Sequence, residues 1–473
     1  CLLLTKSRSA YLAVLVGLAF LGIAWRGKSA RVPWKLLAWT TAVVAGLVGA
    51  AIAARGLDLE VLSEAGKSLG YRGQYWRSSL AMIADHPLMG CGPGNFQDAY
   101  KAYKLPEASE EIAEPHNFLI ELWATAGTPA LLALVAMLGG FYVSVLRARS
   151  DQAGAPARET SPSNQEKAEK QSPGVVYGGA LLGFACAGAI GAVSPAPPSL
   201  MVFAIAVPSV CLAAGALWNW VVGGNLSAQL AAIGAAVLLV NLLAAGGIGF
   251  AGVAGSLWLL IAIALSAIDG WRRASLPAWI GIVLLATTGG VAYACYASAY
   301  RPVLQCEAAM ERAQRHPRQM EKHLLEAAQM DPLSAEPWNQ LSAKALAEWE
   351  STSNADALSR FESYNSEAIR RAPGSAPAWA STGNRYMRVY SRTKDAGHLQ
   401  QACAAMRRTV ELYPNSAVDH ANLAVALRVA GDESGYRGER EQALWLDKTT
   451  PHLDKKLPDE LRKPLERSKS RQN

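Results

Sequence analysis

Apolar positions along this chain of 473 residues are not spread as they would be in one globular core. They gather into runs close to the roughly 20 residues that cross a bilayer. The runs fall near 9–25, 36–54, 117–146, 174–192, 200–222, 227–245, 248–267 and 277–297. The two either side of Gly246-Gly247 could instead form a re-entrant hairpin. The pattern predicts an all-α fold, a polytopic helical membrane domain followed by a soluble α-solenoid of helix-turn-helix repeats.

The solenoid reading comes from the change of pattern after Arg301, where helices become amphipathic and rich in Ala, Glu, Gln and Arg. Met330-Asp331-Pro332, Arg371-Ala372-Pro373 and Leu412-Tyr413-Pro414 place prolines 41 residues apart, and Trp338, Trp379 or His420 follows six residues after each. Helix, proline turn and helix at a fixed period signal stacked hairpins. The array is similar to tetratricopeptide repeats, with a period longer than their usual length of about 34. Its concave face would suit a protein or glycan-assembly partner. Trp338 and Trp379 either stack on sugar or pack between helices at a shared repeat position.

Basic loops set the orientation. Arg26, Lys28, Arg31 and Lys35, then Arg147 and Arg149, then Arg272 and Arg273 fall on one side if each run spans once. The positive-inside rule makes that side cytoplasmic. The loop 55–115 and everything after Arg301 then lie outside, and so, against the rule, do Lys6 and Arg8. The expected organisation is a membrane core at 1–149 carrying that outer loop, a disordered cytoplasmic linker at 150–173 and further spans at 174–300. Repeats follow at 301–450, with a basic tail at 451–473. The opening at Cys1, already running into a span, reads as a fragment lacking upstream helices.

Composition excludes other classes. Half the residues are hydrophobic, too many for an ordinary soluble protein of this length, and the net charge of +7 belongs largely to loops beside spans. That favours a topological signal over nucleic-acid binding. The seven cysteines are scattered without a CxxC pair, so neither a zinc site nor a disulfide framework follows. The spans carry almost no charge between their ends, which disfavours a transporter.

Chemistry concentrates in the outer loop. Arg72 precedes a predicted amphipathic helix on which Trp76, Leu80 and Ile83 share a face, flanked by Tyr75, Ser79 and Met82. That helix reads as lying on the bilayer, with Trp76 at the interface and Arg77 reaching lipid phosphate or substrate. The run Gly90-Cys91-Gly92-Pro93-Gly94 looks like a phosphate-cradling loop, but no strand precedes it and no Gly-Lys-Ser/Thr follows. It reads instead as a tight turn folding the loop back onto the membrane domain, with His86 structural or exposed. His116 stands where the loop meets the apolar run at Phe118, with Asn117 as an orienting amide and Glu110, Glu111 and Glu114 upstream. A neutral imidazole there is suited to accepting a proton.

Four ordered motifs resemble the O-antigen ligase and polysaccharide polymerase superfamily over about residues 5–146. They are Thr5-Lys6-Ser7-Arg8-Ser9-Ala10, Arg72-x-x-x-Trp76, His86-Pro87-Leu88-x-Gly90-x-Gly92-x-Gly94-x-Phe96, and His116-Asn117-x-x-Ile120-Glu121-Leu122 with Gly127 beyond. The resemblance implies a bacterial inner-membrane enzyme. It would transfer a glycan from an undecaprenyl-diphosphate carrier to an acceptor hydroxyl on a glycan, lipid or protein at the outer face. It carries the catalytic roles to His116, Arg8 and Arg72, with Arg77 and Asn117 as substrate-binding candidates. No cofactor is expected. No aspartate pair of the kind that binds metal in many glycosyltransferases is seen, so metal-independent inversion by direct displacement is the expectation. A non-enzymatic membrane scaffold recruiting partners through its repeats is the rival reading.

Overall fold

The computed structural model describes residues 8–26, 65–108, 110–154, 228–268, 277–451 and 455–467, with a few isolated positions between 181 and 215. Among these residues the fold is all-helical, as expected. In chain order it runs α1 (Arg8–Arg26), α2 (Ala65–Asp85), α3 (Phe96–Tyr103), α4 (Phe118–Gly154), α5 (Ala228–Ala245) and α6 (Ala251–Ser266). Next, α7 (Ala278–Cys295) passes through a π-helical turn at Tyr296–Tyr300 into α8 (Arg301–Arg315). The remainder is α9 (Met320–Met330), α10 (Glu336–Thr352), α11 (Ala355–Arg371), α12 (Ala376–Thr393), α13 (Ala396–Leu412), α14 (Ala417–Val429), α15 (Glu433–Thr449) and α16 (Asp459–Arg467).

Three described helices are long and apolar enough to cross a membrane: Phe118–Ala148, Ala228–Ala245 and Trp279–Arg315. The expected runs near 9–25 and 248–267 appear as helices with shorter apolar stretches, Ala10–Leu21 and Gly252–Ser266. The runs near 36–54, 174–192 and 200–222 lie outside the described residues. The expected linker at 150–173 begins inside α4, which continues to Gly154; residues 155–173 lie outside the description.

The chain divides into two compact units. In the first, α1 packs on α5 at Gly17, where an added Cβ would sit 2.3 Å from Val237 Cγ2. Close helix approach at a small residue is how apolar helices gain dispersion contact when solvent offers no hydrophobic drive. Gly246 and Gly247, both at positive φ, turn α5 back onto α6. Ala231, Ala235, Leu257 and Ile261 close the core against Phe141 and Val145 of α4.

In the second unit, α8–α9, α10–α11, α12–α13 and α14–α15 pack as hairpins, and successive hairpins stack. The turns inside them share one chemistry. Ser353 and Lys394 end their helices in the left-handed conformation. The next residue, Asn354 or Asp395, then caps the following helix through its side chain. Gly431-Asp432 does the same before α15. Each such cap contributes about 1 kcal/mol.

Between hairpins, the position six residues after each proline has a definite role. Trp379 donates its ring N–H to Pro373 O at 3.0 Å, and His420 Nε2 contacts Pro414 O at 2.8 Å. A carbonyl that the turn leaves without a backbone donor is satisfied by a ring nitrogen. In the first repeat Arg371 Nε takes Pro332 O at 2.8 Å instead, and its guanidinium covers the Trp338 ring at 4.7 Å. Both tryptophans are half-buried, and Trp338 packs against the core of Ala313, Leu324 and Leu341.

The segment expected as a basic tail is a correction. Residues 455–467 include α16, packed on α14 and α15 with Leu457 and Leu465 buried. Arg462 pairs with Asp447 at 3.1 Å, and Arg440 donates to Leu465 O. Charge count hid two leucines that join the core of the last hairpins.

Candidate active site

The segment between α1 and α4 folds, over its described residues, around a small core of its own. Tyr75, Met82 and Ile83 of α2 meet Phe96 and Tyr100 of α3, with Ile112 and Ala124. This corrects the expected surface helix. The expected face included Leu80, which is exposed, whereas the flanking positions Tyr75, Ser79 and Met82 are buried. Tyr75, Ser79 and Met82, at successive spacings of four and three, share one helix face, and the ring and thioether found partners in α3, so the buried stripe turned toward them.

Gly90, Gly92 and Gly94 all adopt positive φ, and the turn they make docks onto α4. The reason lies in α4 itself. Pro129 has no N–H for Thr125 O, and its ring would strike that turn of helix. The helix breaks at Gly127, which sits at φ 80° and ψ 179°. The freed groups are then paired by the turn: Cys91 N–H donates to Ala124 O at 2.8 Å and Gly92 N–H to Thr125 O at 3.0 Å. In return Thr128 N–H donates to Pro87 O at 2.8 Å, and the Thr128 hydroxyl to the same carbonyl at 2.7 Å. The fit is tight, since a Cβ on Gly127 would lie 2.0 Å from Leu88 O and one on Gly90 2.5 Å from Ala124 O. The glycines therefore build a clamp, not a nucleotide cradle.

His116 lies two residues before Phe118, where the apolar helix starts. Its backbone is left-handed at φ 52°, a strained choice for a non-glycine residue and one that clusters at functional sites. Three contacts hold it there. Trp76 donates its indole N–H to Pro115 O at 3.0 Å, the Tyr75 ring lies 6.3 Å from the imidazole, and His116 Nδ1 is 3.4 Å from Glu114 Oε1. A carboxylate at Nδ1 favours the proton there and leaves the Nε2 lone pair as the basic position. The His116 side chain is 40% exposed, so a substrate hydroxyl could reach it.

Tyr75 in turn donates to Glu110. Burial first, and then that carboxylate, push the phenol well above its ordinary range, so it remains a hydrogen-bond donor. Tyr75, Trp76 and Glu110 thus position the histidine, roles the sequence reading did not give them. The spacing Arg72, Tyr75, Trp76 was the available signal, because residues three and four apart share a helix face.

That spacing also puts Arg72 one helical turn before the two residues that hold the 115–116 segment. Arg72 is half-buried and, among the described residues, forms no ion pair. Arg77, one step round the helix, is exposed. Asn117 has a defined structural use: its side-chain oxygen accepts from Leu119 N at 3.0 Å and Ile120 N at 3.2 Å, capping α4. Only its amide N–H₂ remains for a substrate. Arg8 opens α1 in the other unit, and its side chain lies outside the described residues. His86 is exposed in the turn.

The loop leading to His116 also touches the repeats. Lys104 is buried, donating from Nζ to the Tyr413 hydroxyl at 2.7 Å and lying 5.1 Å over that ring. Asn415 donates to Lys104 O, and Tyr413 donates to Glu111 at 3.2 Å. Burial lowers the Lys104 ammonium from 10.5 to about 8, with Glu111 acting in the opposite direction. The docked lysine therefore sheds its proton near pH 8 and an undocked one near 10.5. Stability from this contact is fully present above that window and is lost as pH falls through 8. The slope inside the window is at most about 1.4 kcal/mol per pH unit. We expect the thermal-midpoint difference between the wild-type protein and Lys104→Met, in detergent, to shift in favour of wild type from pH 7.5 to 9.5.

Residues 1–135 match the O-antigen ligase family. The match takes in α1, the α2–α3 loop, the glycine clamp, His116 and the first part of α4, and it makes this region similar to membrane glycan ligases and polymerases. No curated protein matches the chain.

Proposed function

We propose that this protein is a membrane glycan ligase or polymerase. It moves a glycan from an undecaprenyl-diphosphate carrier to an acceptor hydroxyl at the outer face of the bacterial cytoplasmic membrane. The observation that carries the reading is His116. It is held in a left-handed turn at the start of an apolar helix, Nδ1 toward Glu114, inside the region similar to O-antigen ligases.

In this reading the acceptor oxygen attacks the anomeric carbon while its proton passes to His116 Nε2. A new C–O bond forms, the bond to the carrier breaks, and its electron pair leaves on the diphosphate. That leaving group is already ionised, so the transition state needs fixed positive charge near phosphate oxygens and no proton donor. Arg72 and Arg8 supply it through planar, bidentate and permanently charged guanidinium groups. Arg77 and the free N–H₂ of Asn117 would contact the glycan or diphosphate. Displacement in one step inverts the anomeric carbon and calls on no metal. The repeats, tetratricopeptide-like in their hairpin form, lie outside the membrane and present a surface to an acceptor or a protein partner.

Disrupting the gene and analysing surface glycan tests this reading. Finished polymer retained on the carrier identifies a ligase, and single repeat units identify a polymerase. Unchanged surface glycan and an unchanged carrier pool would overturn both and leave the scaffold reading standing.

A further inference from the structure

A cleft of about 490 Å³ lies between the loop that leads to His116 and the face of the repeats, away from His116 itself. Its volume is within the roughly 300–1,000 Å³ of small-molecule sites, and its walls mix polar groups with small apolar residues such as Ala380 and Val418. Asn384, Ser381 and Ser416 line it with amide and hydroxyl groups, and its aromatic ring, Tyr413, has Lys104 over one face. An acyl chain would offer no hydrogen-bond partner to Asn384 and Ser381.

Charge narrows the choice. Four lysines line the cleft, Lys101, Lys104, Lys455 and Lys456, against two carboxylates, Glu111 and Asp419. Lys101 is buried beside Asp98 at 2.8 Å, and Lys456 donates to Asp447 O at 2.7 Å. Lys455 is exposed and forms no ion pair among the described residues. Burial raises Asp419 above its ordinary range. The excess is positive and distributed among hydroxyl and amide groups spread over two repeats.

We propose that this cleft binds a carboxylate-bearing oligosaccharide, its acid group on the Lys455 side and its sugar hydroxyls on Asn384, Ser381 and Ser416. The inference rests on the glycan-transfer reading for its ligand class and extends it, because Glu111, which lines the cleft, lies three residues before Glu114 and five before His116. A glycan seated here would be held by the repeats at the segment that carries the base. It would give the solenoid a saccharide ligand.

Binding is measured on the intact protein in detergent micelles carrying His116→Ala, by titration calorimetry with trigalacturonate, maltotriose and triaspartate as probes. Because no turnover is involved, absence of transfer activity and absence of this site are read separately. Trigalacturonate is expected to bind. Affinity should fall roughly fivefold in Lys455→Ala, and about tenfold or more when Lys456→Ala is added. Asn384→Ala should weaken trigalacturonate without changing salt dependence. Maltotriose binding as tightly as trigalacturonate, triaspartate competing equally, or affinity indifferent to both lysines would each overturn the proposal. So would no binding of trigalacturonate by a protein whose wild-type form transfers glycan.

Discussion

Replacing His116 by alanine should lower glycan transfer by about 10²- to 10⁴-fold, the usual contribution of a positioned general base. Membrane insertion and the helical fold should be unchanged. The imidazole is 40% exposed, and the groups that keep the loop folded are elsewhere, in the core of Tyr75, Met82, Phe96 and Tyr100. Glutamine at the same position keeps the polar volume without the base and should be equally slow. Arg72→Ala removes charge from the developing diphosphate and should cost on the order of 10²–10³ in turnover. Arg72→Lys should recover only part of it, since a point charge does not reproduce the bidentate fork. Normal rates in the His116 and Arg72 variants would remove the chemical role assigned here.

Gly127→Ala should be the most damaging conservative change in the loop. The residue sits at φ 80° and ψ 179°, a region open almost only to glycine, where another residue costs about 1–3 kcal/mol. The new methyl would also lie 2.0 Å from Leu88 O, so the clamp must part. Parting it breaks the bonds from Cys91, Gly92 and Thr128 across the kink, each worth about 1 kcal/mol. The expected loss is about 3 kcal/mol or more, seen as rapid protease cleavage within residues 86–95 and loss of activity. Gly94→Ala provides the contrast. Gly94 shares the positive φ, but its added Cβ meets nothing within 4 Å. Only the backbone strain of about 1–2 kcal/mol should remain.

Much of this was legible in the sequence because its signals are periodic. The apolar runs became α4, α5 and α7, and the prolines 41 residues apart marked the hairpin boundaries. What the period could not give was the reason for the residue six after each proline, whose ring nitrogen satisfies a turn carbonyl in two repeats. The glycine turn was read correctly as a fold-back. Its partner was hidden, because the pairing depends on carbonyls freed by Pro129, some 37 residues beyond Gly92. At the candidate site the motif selected His116 and Arg72. The residues that shape it, Tyr75, Trp76, Glu110 and Glu114, are aromatic and acidic side chains of ordinary type, informative only once α2 lies beside residues 110–116. Lys104 was invisible for a stronger reason: its partner Tyr413 is 309 residues away.

The central claim is that this protein transfers glycan from a lipid diphosphate, with His116 taking the proton. The most direct measurement places the intact protein in liposomes with carrier-linked glycan and acceptor, and follows release of free carrier diphosphate alongside new glycosidic product. Release and product in equal amounts are expected from the wild-type protein, and neither above background from His116→Gln. Equal turnover by both proteins, or none by the wild-type protein with carrier and acceptor present, would contradict it.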